Sequence, residues 1–139
     1  MIAFDTDVLT GILLGHVDDV TRAATIPDHD QAVPIIVVEE ILRGRLNVIR
    51  QAEAGAARIR IEQAYALFEE TLRDFQSIRT LSYTPQAEQL YRQWRQQRLR
   101  VATHDLRIAA ICMAHDAMLI SRNRRDFERV PGLRVEFWD

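Results

Sequence analysis

The chain has 139 residues, of which 47% are hydrophobic and 27% charged, and its net charge is −2. That length supports one hydrophobic core and a single domain over residues 1–139, the composition is that of a soluble globular protein, and with no run of 18 or more apolar residues a membrane span is not expected. The small net charge hides an asymmetry: residues 1–40 hold eight acids against one base, Arg22, while residues 41–139 hold seventeen bases against twelve acids, every base being arginine.

Met1–Phe4 is a short apolar run ending in Asp-Thr-Asp, read as a buried strand followed by a turn. The acids there, with no basic stretch before them, do not form a secretory signal, so a cytoplasmic location is expected. Val8, Leu9, Ile12 and Leu13 recur at helical spacing, and residues 17–26 form a second helix stopped by Pro27. After a polar loop over 27–33, the β-branched run PIIVV at 34–38 reads as a central parallel strand. A helix then runs from Glu39–Glu40 to about Arg50. Residues 52–77 read as one long helix, because Ile61, Tyr65, Phe68, Leu72 and Phe75 form a single apolar stripe, suited to core packing or a dimer seam. Residues 78–83 form a strand. Thr84-Pro85 opens a helix as an N-cap followed by Pro, and it runs to about Leu99. His104–His115 is a helix that buries the lone cysteine, Cys112, which cannot build a disulfide framework. Residues 117–121 and 133–137 are the last strands. Strands alternating with helices imply an α/β fold with a central, mainly parallel sheet.

In such a sheet, sites lie beyond the carboxyl ends of the strands. Asp5 follows the first strand, Glu40 lies one turn into the helix after the second, Asp105 stands at a helix start, and Asn123 and Asp126 follow the fourth strand. Parallel topology gathers these positions at one edge. Clustered carboxylates repel unless a cation neutralises them, and hard oxygen donors suit Mg²⁺ or Mn²⁺. Such an ion can activate water for phosphodiester hydrolysis. The basic remainder of the chain suits a polyanion track beside that centre. Each acid also has a plainer role open to it, as a helix cap or a solvated first-turn residue.

The segments IAFDTDVL, VVEEILRG, HDLRIAAICMAHDAMLISRN and RDFERVPGLRVEFW, in order and at ordinary spacing, resemble the VapC branch of the PIN-domain family over nearly the whole chain. The resemblance implies a three-layer α/β/α domain, Mg²⁺- or Mn²⁺-dependent cleavage of RNA, a homodimer, and a cognate antitoxin, with larger toxin–antitoxin assemblies possible. Carried over by residue, Asp5, Glu40 and Asp105 fill the acidic positions and would bind the metal. Glu40 rather than Glu39 is chosen because the family's Glu stands four before the Gly, here Gly44. Asn123 occupies a fourth position that is Asp in many PIN domains, which weakens a second metal site; Asp126 and Ser121 would be auxiliary. Arg43, Arg122 and Arg124, with Arg45 and Arg125, are candidates for substrate phosphate by proximity in sequence. Arg92, Arg95, Arg98 and Arg100 around Trp94 are a second basic run, either an RNA contact or a solvated helix face.

Two other readings compete. Phe4-Asp5-Thr6-Asp7 after an apolar strand also resembles the nucleophile motif of haloacid-dehalogenase-type phosphatases, in which the first Asp is phosphorylated and the second is a general acid. That family needs a downstream Lys or Arg and a late acidic pair; no lysine exists, and only Ser121 could end the required strand. The third reading is a PIN scaffold without catalysis that binds RNA or protein, for which Asn123 is the sequence support.

Overall fold

The computed structural model describes residues 1–56 and 58–139. Five strands form one parallel sheet in the order β3-β2-β1-β4-β5: β1 Ile2–Phe4, β2 Gln31–Pro34, β3 Arg79–Leu81, β4 Met118–Ser121 and β5 Val135–Phe137. Among the described residues seven α-helices connect and layer it: α1 Thr6–Leu13, α2 Val17–Ala23, α3 Ile35–Glu53, α4 Ile61–Gln76, α5 Pro85–Gln96, α6 Thr103–Ala114 and the single turn α7 Arg124–Phe127. The expected α/β order is therefore realised. Ala3, Phe4, Val33, Leu119 and Ile120 of the inner strands are almost wholly enclosed, and Val8, Val37, Leu106, Ile108 and Ile111 cover them from the helices. Covering both faces of a parallel sheet is what leaves its central strands continuously apolar. Cys112 is buried as expected.

The strand expected at PIIVV is corrected. β2 ends at Pro34, whose extended backbone serves as the N-cap of α3, and Ile35 to Val38 form the first helical turn. Proline suits a helix entrance because it donates no backbone N–H, and the four β-branched residues follow the fold rather than their weak strand preference. The pattern that decides is Val37 and Ile41, both buried and four residues apart, while Ile35 is 38% exposed. A doubly covered strand would have buried them all.

The helix expected over 52–77 is also divided differently. α3 continues to Glu53 and ends at Gly55, whose φ of +70° is costly for residues with a Cβ; α4 starts at Ile61. The apolar stripe of α4 lies only partly against the domain: Phe68 and Phe75 are half-buried, but Ile61, Tyr65 and Leu72 are exposed. The stripe is therefore not core packing along its whole length.

The topology locates the site. The chain leaves β1 to build β2 and β3 on one side, then returns across β1 to place β4 and β5 on the other. Between β1 and β4 the connections diverge, which opens a crevice at the carboxyl ends of those strands. Asp5 and Ser121 stand there.

Candidate functional site

Asp5 follows β1 directly and caps α1, its Oδ1 accepting from the Thr6 N–H at 2.7 Å. Its Oδ2 accepts from the Ser121 hydroxyl at 2.6 Å, and Ser121 Oγ in turn accepts from the Asn123 N–H at 3.0 Å. Asp5 is 7% exposed and Ser121 fully enclosed, so this chain of bonds crosses from β1 to β4 out of water. Burial pushes the Asp5 carboxyl up, while the bonds from Ser121 and Thr6 pull it down and the neighbouring Asp7 raises it.

Glu40 arrives from the second turn of α3, where Thr6 Oγ1 donates to its Oε1 at 3.2 Å. Burial raises its carboxyl, and the Thr6 bond and His104 partly offset this. Glu39 points elsewhere: it is exposed, accepts from Arg43 Nη2 at 2.7 Å and lies 3.7 Å from His104 Nε2. The structure thus places Glu40, not its neighbour, with the other acids.

Asp105 lies in the first turn of α6, with Ala102 rather than Asp105 at the cap. Its Oδ2 accepts from Asn123 Nδ2 at 3.0 Å. Burial, the hydrogen bond with Asp126 and the charges of Asp5, Asp126 and Glu40 together push the Asp105 carboxyl up to about 7. A carboxyl so raised holds its proton near neutrality unless a cation replaces it. Asn123 does two jobs with one amide: Nδ2 holds Asp105, and Oδ1 caps α7 through the Asp126 N–H at 3.3 Å.

The four catalytic candidates therefore meet, with Ser121 and Asp126 beside them. Thr6 was missed, although its place between two aspartates at a helix start is the signal that it shares their surroundings. His104 was missed as well; it precedes Asp105 and stands against Glu39 and Glu40. Among the described residues no three acids, imidazoles or thiols are grouped closely enough to hold a metal ion as they stand. The donors present are carboxylate oxygens from three separate elements, and hard oxygen donors of that kind suit a divalent ion such as Mg²⁺ or Mn²⁺.

The arginine candidates separate sharply. Arg122 turns away from the centre: it pairs with the buried Asp19 and donates to the carbonyl oxygens of Trp138 at 3.2 Å and Asp7 at 3.3 Å. Arg124 pairs with Asp139 and Glu128 and lies over the Phe137 ring. Arg45 donates to Thr71 on α4. Arg43 is held by Glu39 but stays beside the site, in a pocket of about 430 Å³ with Glu40, Asn47, Arg50 and His104. Sequence proximity misled here because arginines adjacent in the chain leave the backbone in different directions. Around the second basic run, Trp94 is buried, Arg92 is paired with Glu88, and Arg95 binds Tyr91, Thr103 and the Leu99 carbonyl.

A sequence profile of the PIN domain matches residues 2–133. The chain is also 30% identical over 132 residues to a protein named Ribonuclease VapC from Rickettsia bellii, covering 94% of this chain and 91% of that one. The chain belongs to the PIN-domain family, in its VapC branch. Solved structures share the PIN fold along its whole length. VapBC2 from Rickettsia felis, bound to a DNA fragment from its promoter, aligns with a TM-score of 0.73, 22% identity and all of both chains. FitAcB from Neisseria gonorrhoeae aligns with a TM-score of 0.76 and 21% identity, over 97% of this chain and 96% of that one. The phosphatase reading loses its ground with the family, and Asp7, which it required as a general acid, is exposed at the outer side of α1.

Proposed function

We propose that the chain is a metal-dependent endoribonuclease, the toxin of a toxin–antitoxin pair. The observation that carries this is the convergence of Asp5, Glu40 and Asp105 from three elements, with burial first, and then its acidic neighbours, pushing the Asp105 carboxyl up to about 7. The curated relative is named a ribonuclease, which supports RNA as the substrate. Asp5 and Asp105, with Glu40, would hold a Mg²⁺ or Mn²⁺ ion. When bound, the ion supplies charge neutralisation and activates water at the phosphodiester. Glu40, beside the ion, would orient the attacking water and accept its proton. Ser121 fixes the rotamer of Asp5, and Asn123 fixes that of Asp105 without adding charge.

The partner reading rests on α1. Val8 and Leu9 belong to the core, but Ile12 and Leu13 line a groove of about 260 Å³ shared with Phe75 and Ile78, and Leu14 beyond them is 61% exposed. An amphipathic antitoxin segment fits such a groove. Similar folds have been solved in a toxin–antitoxin complex from Klebsiella pneumoniae and in a member of the VapBC family of toxin–antitoxin systems, which supports that partner. A homodimer that sets one copy's α4 stripe against another's would cover Ile61, Tyr65 and Leu72, which are exposed in the single chain. No helix among the described residues is long and apolar enough to cross a membrane, and the cytoplasm is the proposed site of action.

The test is cleavage of RNA with Mg²⁺ or Mn²⁺, with chelator, and after metal is restored. Asp5→Asn and Asp105→Asn remove charge with almost no change of volume and are expected to abolish cleavage in a folded protein. Cleavage that survives chelation, or full activity in either variant, would overturn the reading. Release of phosphate from small phosphomonoesters instead would favour the phosphatase chemistry.

A further inference from the structure

A second pocket, of about 580 Å³, borders the carboxylate cluster between the α5–α6 connection and α7; it is lined by Arg100, Ala102, Asn123, Arg125, Asp126 and Arg129. Asn123 donates to Asp105, and Asp126 donates its backbone N–H to Asn123, so this pocket shares a wall with the centre. Its three guanidiniums share one space, and unlike several others in the molecule they make no ion pair among the described residues. Arg43, Arg92, Arg122 and Arg124 are each paired with a carboxylate. Among the described residues, Arg100, Arg125 and Arg129 have no such partner, and their one side-chain hydrogen bond runs from Arg129 Nη1 to the Arg100 carbonyl oxygen at 2.9 Å.

Three permanent positive charges around one space repel one another and exclude a cation. The lining holds a single acid, Asp126, against these three guanidiniums. The guanidinium fork matches paired oxygens on a tetrahedral anion, and several forks around one space suit an anion whose charge is spread over more than one oxygen. We propose that this pocket binds a backbone phosphate of the RNA strand, adjacent to the one being cut, and that Arg100, Arg125 and Arg129 set the path of the strand away from the carboxylates. The assignment rests on the ribonuclease reading for the strand's identity. The shared wall favours nucleic acid over a protein carboxylate, since one continuous polyanion then reaches both the centre and the pocket.

The test reads binding separately from cleavage. A short, fluorescently labelled single-stranded RNA of mixed sequence is titrated with metal-free protein at several salt concentrations. Wild type is compared with Arg100→Gln/Arg125→Gln and with Arg73→Gln/Arg92→Gln, which removes equal charge from the exposed arginines of α4 and α5. Losing one phosphate contact is expected to reduce the slope of log affinity against log salt by about 0.7. The pocket variant should show that loss and severalfold weaker binding at low salt, and the control should not. Should the double variant fail to fold, Arg125→Gln alone serves, because its guanidinium makes no hydrogen bond among the described residues. Wild-type slope and affinity in a folded pocket variant would overturn the proposal, as would unchanged RNA binding with weakened binding of the purified antitoxin. Wild-type protein that binds RNA but never cuts it with Mn²⁺ would overturn the ribonuclease reading, while the binding comparison still decides the pocket.

Discussion

Glu39 and Glu40 are adjacent, and neighbours on a helix project about 100° apart. Glu40 meets Thr6 and the acids, whereas Glu39 meets Arg43 on the exposed side. Glu40→Gln is therefore expected to lower RNA cleavage by about 10²-fold or more, the usual worth of a general base, and Glu39→Gln to leave it near wild type. Steady-state cleavage rates of the two variants check this; the opposite ranking would mean that the other glutamate faces the centre. Asp105 supports a second residue-level prediction. Its carboxyl is raised above its unfolded value to about 7, so its contribution to stability is fully present below the unfolded value, near 4, and is lost as pH rises through about 7. Metal-free protein should accordingly lose stability between about pH 4 and about pH 7 on this group's account. Asp105→Asn should flatten that trend and add roughly 1 kcal/mol at pH 8, an increase in Tm of about 4 °C. Thermal melts across that range in chelator would detect it, and a variant with the same pH trend as wild type would refute it.

At the scale of elements, α1 and α2 are locked together by one side chain. Asp19 of α2 is buried, pairs with Arg122 after β4, and lies against Gly11 of α1 so closely that a methyl group there would overlap its carboxylate. Gly11 is a glycine for that reason, despite costing a helix interior about 1 kcal/mol relative to alanine. Arg122 lies between Ser121 and Asn123, so this ion pair also anchors the backbone that supplies both to the centre. Gly11→Ala is expected to destabilise the protein by about 2–4 kcal/mol, the loss of a buried ion pair less the gain in helix propensity. Denaturant unfolding measures it; a neutral or stabilised variant would show that the carboxylate can shift at little cost.

Across the whole molecule, the carboxylates sit at the carboxyl edge of the sheet, while the apolar groove lies between α1 and the end of α4. Hydrogen exchange on antitoxin binding should slow at residues 12–14, and residues 8 and 9, already in the core, should change little. Slowing confined to the carboxylate edge, with none in the groove, would place the partner elsewhere. These expectations require only that the partner covers exposed backbone at the end of α1, where Leu14 already faces solvent.

Local sequence carried much of this molecule. Alternation of apolar strands and amphipathic helices set the α/β class, and the acids after β1, in α3 and in α6 were visible as chemistry awaiting a common location. The PIIVV run was misread because β-branched residues serve a buried strand or the buried side of a helix entrance equally well; only packing against the sheet distinguished them. The arginines were misread for a related reason. Charge is written in the sequence, but whether a guanidinium is neutralised depends on carboxylates far along the chain, as Asp19 is from Arg122 and Asp139 from Arg124. Local periodicity is a property of neighbouring residues, and the sequence by itself determined the elements to that extent; pairing between distant charges and the freedom of Arg100, Arg125 and Arg129 were decided only when the parallel sheet brought those segments together.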